Sequence, residues 1–522
     1  MSAPIPYDHY RCLAQRLTEE TFGAHDGADA LIVRTPWTGE VLGSVPCLTP
    51  ADVQSAVLRG RAAQPGWAAR PFAERAQIVK RFHDMLLARE ATILDLMQLE
   101  TGKARKHALE EILDTAIVAR HYSIHGERYL RAERRRGALP VLTSSREYRH
   151  PRGLVGVIAP WNYPLSLAIT DALPALLAGN AIILKPDSQT PFTALWAVRL
   201  LVEAGLPADV FQVVTGAGAE LGPALIDGVD YVTFTGSTAT GRVVARQAAE
   251  RLIGCSLELG GKNAMLVLDD ANLGMAVEGA LLGCFASAGQ LCVSIERIFV
   301  HQRLYSAFLW RFAERTRALR LGVGFGYDIE MGSLVGARQL STVSRHVEDA
   351  VAKGAEVEAG GRARPDIGPY FYEPTILAGV TPAMEIYDEE TFGPVVAVYP
   401  VASAEEAIAS ANASRYGLNA SVWTRNLARG RAVAQRLQAG TVNVNEAYAA
   451  AWGSVDATMG GVKDSGLGRR HGAEGMQKYT EPQTVAVQRL HPIDAPWGFP
   501  RTLYARAMIG YLRVIRHIPG LR

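Results

Sequence analysis

From Gly153 onward the chain alternates short apolar runs with stretches of helical period, and this alternation limits the fold more than any other feature. Leu154-Val155-Gly156-Val157-Ile158-Ala159 is bounded by glycine and proline, as a strand buried on both faces should be. A helix follows, then a strand over 181–184, a helix from Thr190, and strands over 210–214 and 231–234. Strands separated by helices pair in parallel, so the sequence predicts an α/β fold with a doubly wound, Rossmann-type sheet. A second alternating stretch runs from 263 to 443, with strands over 264–268 and 297–300 and a helix over 303–319. It reads as a second α/β unit. No internal repeat or low-complexity linker separates the two, so they should pack closely.

The flanks read differently. Residues up to about 26 form a polar lead with room for one short helix, and 32–45 read as a hairpin around Pro36-Trp37-Thr38-Gly39-Glu40. Thr49 is a good N-cap, with Pro50 suited to the first helical position. Long amphipathic helices continue to about residue 129. After the basic run 131–136, the alternating segment 141–149 reads as an extended hairpin. The tail 500–522 is a basic amphipathic helix. Tyr504, Met508, Tyr511, Ile515 and Ile518 share one face, Arg506 and Arg513 lie opposite, and no acid follows Asp494.

A chain of 522 residues has room for two or three domains. Its formal net charge of +2 gives no field to attract nucleic acid. The cysteines, at 12, 47, 255, 284 and 292, have no metal or redox spacing and suggest free thiols in a reducing compartment. There is neither a secretory pattern at the N-terminus nor an apolar run long enough for a bilayer, so a cytoplasmic location is expected.

Three segments carry chemistry. Gly289-Gln290-Leu291-Cys292-Val293 holds a cysteine among small and apolar residues. Taken alone, such a cysteine is usually an inert buried thiol. Glu258-Leu259-Gly260-Gly261-Lys262-Asn263 adds a carboxylate, and Pro160-Trp161-Asn162-Tyr163-Pro164 adds a side-chain amide. Thiol nucleophile, base and oxyanion donor together form a set for acyl chemistry. Gly216-Ala217-Gly218-Ala219-Glu220-Leu221-Gly222 mimics a dinucleotide fingerprint, but its last spacing is one residue too long, and a tight turn explains it.

Together with Phe234-Thr235-Gly236-Ser237 and Glu390-Thr391-Phe392-Gly393-Pro394, these segments resemble the signatures of the NAD(P)-dependent aldehyde dehydrogenase superfamily, in its order and at its approximate spacing. The resemblance covers about 32–487. Lys185-Pro186-Asp187-Ser188-Gln189-Thr190-Pro191 and Gly468-Arg469-Arg470-His471-Gly472 resemble the succinate-semialdehyde dehydrogenase (NADP) branch. The resemblance implies a cofactor-binding domain over 1–130 and 152–260 and a catalytic domain over 261–458. It also implies a small β oligomerisation element over 131–151 and 476–490, leaving 491–522 as the tail. It implies Cys292 as nucleophile, Asn162 as oxyanion donor and Glu258 as base, with Cys284 a buried rival. Glu258 would need a pKa raised by apolar surroundings. For the cofactor it implies Trp161, Lys185, Ser188, Gly236, Ser237, Glu390 and Phe392, and no metal. Lys463 and Arg469 belong to a motif near the mouth of the site.

NADP is the expected cofactor, with NAD as the alternative. Ser188 stands where NAD-specific members place a glutamate that would repel a 2′-phosphate, and its hydroxyl adds a donor. The expected substrate is a small aldehyde, by resemblance succinate semialdehyde. Yet Asp171 and Ala286 stand where that branch places arginines, and the serine expected near the end of 445–450 is missing; Ser287 replaces an asparagine. An apolar or aromatic aldehyde, in a pocket lined by Tyr163, Phe285, Tyr448 or Trp452, is the alternative, with Arg297 or Arg469 as the cations that could still bind a carboxylate. A catalytically silent structural paralogue is a more distant reading. A homodimer or homotetramer is expected, without nucleic acid, and the tail offers peripheral membrane contact.

Overall fold

The computed structural model describes residues 5–19, 29–139 and 142–517. Residue 141, which begins the segment read above as a hairpin, and Ile518 of the tail lie outside that set. Two sheets organise the molecule. The first has the strand order 466–467, 254–258, 231–235, 154–158, 181–185, 211–213, parallel except for Gly466–Leu467, which runs antiparallel along Gly254–Glu258. The chain lays down Leu154–Ile158, moves outward to Ala181–Lys185 and Phe211–Val213, then returns to the other side for Tyr231–Thr235. That reversal opens a crevice at the carboxyl ends of the strands, where ligands of such sheets bind.

The second sheet has the order 356–359, 375–378, 395–401, 295–301, 263–267, 419–423, 441–444, parallel except for the first strand. Glu258 ends a strand of the first sheet and Asn263 begins one of the second. A four-residue link therefore sets the carboxyl edge of one sheet against the amino edge of the other. The site lies along this seam.

Helix Pro50–Ala68 packs on the first sheet, and Phe72–Ala88, Glu90–Thr101 and Arg105–Leu130 pack outside it on the helices Ala172–Leu177 and Pro191–Glu203. Thr49 caps the first of them in a reciprocal box with Asp52, which satisfies two otherwise unpaired N–H groups. The hairpin reading of 32–45 corresponds to Ala30–Arg34 antiparallel to Val41–Pro46. The segment Thr143–Pro151 pairs with Glu133–Arg135 and, over nine residues, with Thr480–Gln488. Near the C-terminus, Arg501–Ile515 is helical with no buried residue. Tyr504, Met508, Tyr511 and Ile515 are half-buried, whereas Leu503, Ile509, Leu512 and Val514 are exposed. Among the described residues no helix is long and apolar enough to cross a membrane.

Candidate active site

The helix Leu273–Phe285 runs into a 3-10 turn, Ala286–Gly289. Ser287 and Ala288 take φ of 50° and 55°, a left-handed backbone that costs L-residues about 1 kcal/mol or more each. Gly289 follows at φ +70°, where a Cβ would lie 2.0 Å from the Gly393 carbonyl oxygen. Only glycine fits there. The turn delivers Cys292, half-buried, to the amino end of the strand Ile295–His301. Its carbonyl accepts from Asn263 Nδ2 at 2.8 Å. Burial pushes the thiol up to about 12, and the carboxylates of Glu258 and Glu390 add to this. Cys284 is fully buried in the core of the second sheet.

Glu258 is buried at the end of its strand, and its Oε1 has no hydrogen-bond partner among the described residues. Burial pushes its carboxyl up to about 7, against the pull of Arg470 and Lys478. Those cations are themselves held. Arg470 Nη2 lies 3.3 Å from Asp171 and 2.5 Å from Thr170 Oγ1, while Lys478 Nζ lies 3.1 Å from Asp171 and 3.2 Å from Ser256 Oγ. Asp171 is thus no free acid facing a substrate, as the sequence suggested. It is buried, and despite that burial Arg470 and Lys478 hold it at about 2. The sequence missed Arg470 and Lys478 because their pairing spans about 300 residues and leaves no local pattern.

Asn162 is fixed at both ends. Its Nδ2 donates to Gln290 O at 3.0 Å, and its carbonyl accepts from Lys103 Nζ at 2.6 Å. Lys103 also pairs with Glu111 at 2.5 Å and lies 3.9 Å from the centre of the Tyr163 ring. Glu111 in turn accepts from the Leu165 and Ser166 N–H groups at 2.8 and 3.1 Å. Both partners are buried.

Cys292, Glu258, Asn162, Trp161, Gly236, Ser237, Glu390 and Phe392 all line one cleft. Ser237 caps the helix Thr238–Glu250, whose first-turn N–H groups point toward it. Trp161 and Phe392 meet edge to face at 5.5 Å. Glu390 accepts from Gly261 N at 2.7 Å, and a Cβ on Gly260 would lie 2.2 Å from that carboxylate, so glycine at 260 permits its approach. Burial pushes Glu390 up to about 8, and Glu296 adds to it. Phe392 takes φ 52°. A buried Lys262–Glu296 pair at 2.5 Å holds its loop, Glu296 accepting from the N–H groups of Thr391 and Phe392. Lys185 ends its strand, buried, one loop beyond the cleft wall. Ser188 differs from expectation: its hydroxyl already donates to Gly216 O at 2.9 Å and is not a free donor.

On the other side of Cys292 lies an apolar cluster that includes Tyr163, Leu167, Leu291, Tyr448 and Met459, with Trp452 at its margin. Phe285 is absent from it. That ring stacks on Phe312 in the core of the second sheet. Tyr163 OH and Tyr448 OH both donate to Glu110, at 2.8 and 3.1 Å. Ser287 Oγ lies 3.1 Å from Tyr163 OH. Arg297 is no candidate for a carboxylate, because its guanidinium binds the carbonyls of Lys262, Ser410 and Ala411. Arg469 binds those of Gly461 and Gly468, and Lys463 those of Asn412 and Ser414, so both tie down their own loop.

Comparison with known proteins places this geometry. The aldehyde dehydrogenase family model matches residues 24–485. A Mycolicibacterium smegmatis protein, provisionally named succinate-semialdehyde dehydrogenase (NADP+), is 51% identical over 520 residues and spans 100% of both chains. A Mycobacterium tuberculosis relative, provisionally named succinate-semialdehyde dehydrogenase (NADP+) 2, is 49% identical over 486 residues, 93% of this chain and 94% of its own. A crystal structure described as an Escherichia coli NADP-dependent enzyme superposes with a TM-score of 0.85 at 35% identity, covering 88% of this chain and 95% of that one.

Proposed function

We propose that this chain, which belongs to the aldehyde dehydrogenase family, oxidises its aldehyde with NADP+ to the free acid, using Cys292, Asn162 and Glu258. The observation that carries the reading is Glu258, a buried carboxyl with an unpartnered oxygen, poised at about 7 in the same cleft as the thiol. A group so poised can take a proton and return it near neutral pH.

The thiol of Cys292 is neutral at rest and gives up its proton to solvent as the sulfur attacks the aldehyde carbon, a step that leaves Glu258 free for the one that follows. The carbonyl oxygen then gains charge. Asn162 spends one amide N–H on Gln290 and keeps the second for this oxyanion, together with the Cys292 backbone N–H. A nicotinamide cofactor held by Trp161, Ser237, Glu390 and Phe392 would supply the hydride acceptor that brings the aldehyde carbon to the oxidation level of a Cys292 thioester. Glu258 next takes a proton from water, whose oxygen attacks the thioester carbon. Sulfur leaves as the thiol and the acid departs.

The residues present suit a dinucleotide. The N-terminus of the helix Thr238–Glu250 opens into the cleft at Gly236 and Ser237 and can hold phosphate. Trp161 and Phe392 flank the cleft, and Glu390 can receive ribose hydroxyls. Lys185 and Ser188 lie where the adenosine ribose would, with no carboxylate at 188 to repel a 2′-phosphate. Ser188→Glu should raise the KM for NADP+ strongly and leave that for NAD+ nearly unchanged.

The names of the relatives favour succinate semialdehyde as the substrate. A second reading, a neutral apolar or aromatic aldehyde, is favoured by the Tyr163, Tyr448 and Trp452 rings and the Glu110 carboxyl among them. Initial rates for succinate semialdehyde, butanal and benzaldehyde with each cofactor separate the two. A preference for the charged aldehyde above about 100-fold, about 2.7 kcal/mol, rejects the neutral reading. Failure of all three with both cofactors rejects a dehydrogenase and favours a silent paralogue.

We further infer a cytoplasmic homodimer or homotetramer. Val485 and Val487 on the three-stranded sheet, and Leu113, Ile117 and Ile124 on the long helix, are exposed apolar surface that a second copy could cover. Light scattering gives the mass. The five cysteines are unpaired, which supports a reducing compartment. Fully exposed Trp497, with Leu503, Ile509 and Leu512 beside Arg506, Arg513 and Arg516, supports contact of the tail with an anionic membrane surface. Equal sedimentation with anionic vesicles of the whole chain and one ended at Asp494 would remove that idea.

A further inference from the structure

The cleft that holds Cys292 and Glu258 carries little positive charge where the proposed cofactor is anionic. Its walls carry Asp187, Glu258 and Glu390, and among the lining residues a single cation, Arg338, stands against them. A diphosphate brings two further negative charges. The N-terminus of the helix Thr238–Glu250 offers only about half a charge in compensation. Arg338 itself is exposed and forms no ion pair among the described residues; its carbonyl merely accepts from Thr342 Oγ1 at 3.1 Å.

Its position along the cleft is fixed by its neighbours. Arg338 is the second residue of the helix Ala337–Ala352. Just before it, a Cβ on Gly336 would lie 3.6 Å from Gln189 Oε1, in the loop after Lys185 assigned above to the adenosine ribose. Just after it, Gln339 Nε2 donates to the carbonyls of Thr391 and Phe392 at 2.9 and 2.7 Å, beside the Glu390 that would face the nicotinamide ribose. The first turn of this helix therefore spans the middle of a bound dinucleotide. Gly236, Ser237 and Thr240 line the same cleft from the first sheet.

We propose that Arg338 is a phosphate-binding residue that closes the cleft over the diphosphate of the dinucleotide, from the side facing the Ser237 turn. The inference rests on the dehydrogenase reading given above. It assigns recognition of the diphosphate, common to NAD+ and NADP+, to a side chain of the second sheet. Binding would then draw the two sheets together across the seam.

Binding of NADP+ and NAD+ to Arg338→Ala, Arg338→Lys and Arg338→Glu, followed by calorimetry at low and high salt, tests this without turnover. The alanine variant should weaken both dinucleotides by about tenfold, the value for one solvent-accessible charge-assisted contact. Glutamate should weaken them further, lysine should restore most of the loss, and the differences should shrink in salt. Melting temperature and cofactor-free hydrolysis of an activated ester by Cys292 should stay at wild-type values. Unchanged affinity of the alanine variant for both dinucleotides overturns the assignment. So does a loss confined to NADP+, which would place the guanidinium on the 2′-phosphate. If the wild type binds neither dinucleotide, the dehydrogenase reading falls as well.

Discussion

Beneath Asn162 and behind Cys292 the molecule buries charge in two opposite ways. The Lys103–Glu111 pair is saturated: Glu111 accepts from the ammonium and two backbone N–H groups, and Lys103 also serves the Asn162 carbonyl. Glu258 has an oxygen with no partner, and its nearest cations are already engaged by Asp171. A saturated buried pair has nowhere else to go and so fixes geometry. An unsaturated buried carboxyl is unstable as an ion and therefore reactive. The Lys262–Glu296 pair repeats the first device under the Phe392 loop. The site thus sets one carboxyl with an unpartnered oxygen between two saturated ion pairs.

The largest effect should come from Glu258→Gln, which keeps the shape and removes the proposed base. Steady-state oxidation should fall by about 10²–10⁴-fold, while one equivalent of reduced cofactor per subunit still appears in a burst. Normal turnover at pH 7 would show that another group is the base. The same variant carries a stability signature. The folded value of about 7 lies above the ordinary value of about 4.3, so the wild type loses stability as pH rises between them. Glu258→Gln should melt above the wild type at pH 8 and close to it at pH 4.

Lys103→Met attacks the other region. It leaves Glu111 buried and uncompensated, at a cost of about 3–5 kcal/mol, which denaturant unfolding would register. Adding Glu111→Gln should recover part of the loss. If the single variant unfolds like the wild type, the anchor contributes nothing. A smaller effect is expected from Arg470→Met. Arg470 lowers the Glu258 value, and the proposed base would act when ionised, so removing the cation should move the acid limb of the rate profile upward by about one pH unit. Activity lost at pH 7 should return near pH 9, and Arg470→Lys should keep the original limb. An unmoved limb would confine Arg470 to packing. Least affected should be Tyr448→Phe, which leaves Glu110 with one tyrosyl donor instead of two. Stability should change by less than about 1.5 kcal/mol, and a change above that would mark Glu110 as a third anchor.

Much of the framework can be read directly from residue pattern. The apolar runs between helices mark the strands, and Thr49-Pro50 marks a helix start to the residue. The motif residues expected around the chemistry do converge on one cleft, which Asp187 and Gln189 line although Lys185 and Ser188 do not. What pattern could not supply was side-chain pairing. Asp171 read as an obstacle to a carboxylate until Arg470 and Lys478, far along the chain, were seen to neutralise it. Phe285 has an apolar neighbourhood on either side, and only the sheet decides that it joins Phe312 rather than Tyr163. The donor capacity of Ser188 was spent on a carbonyl that sequence spacing does not indicate.

The nine-residue pairing of Thr143–Pro151 with Thr480–Gln488 also has a consequence in time. A chain emerging from the ribosome has its nucleophile loop and most of both sheets long before the strand Thr480–Gln488 exists. Gly466–Leu467, which flanks Glu258, and the cations Arg470 and Lys478 emerge late as well. Such long-range closure is slow and comes last. Until it happens, Glu258 lacks the strand Gly466–Leu467 that pairs beside it. The Cys292 loop is therefore made well before the segment that completes the surroundings of Glu258.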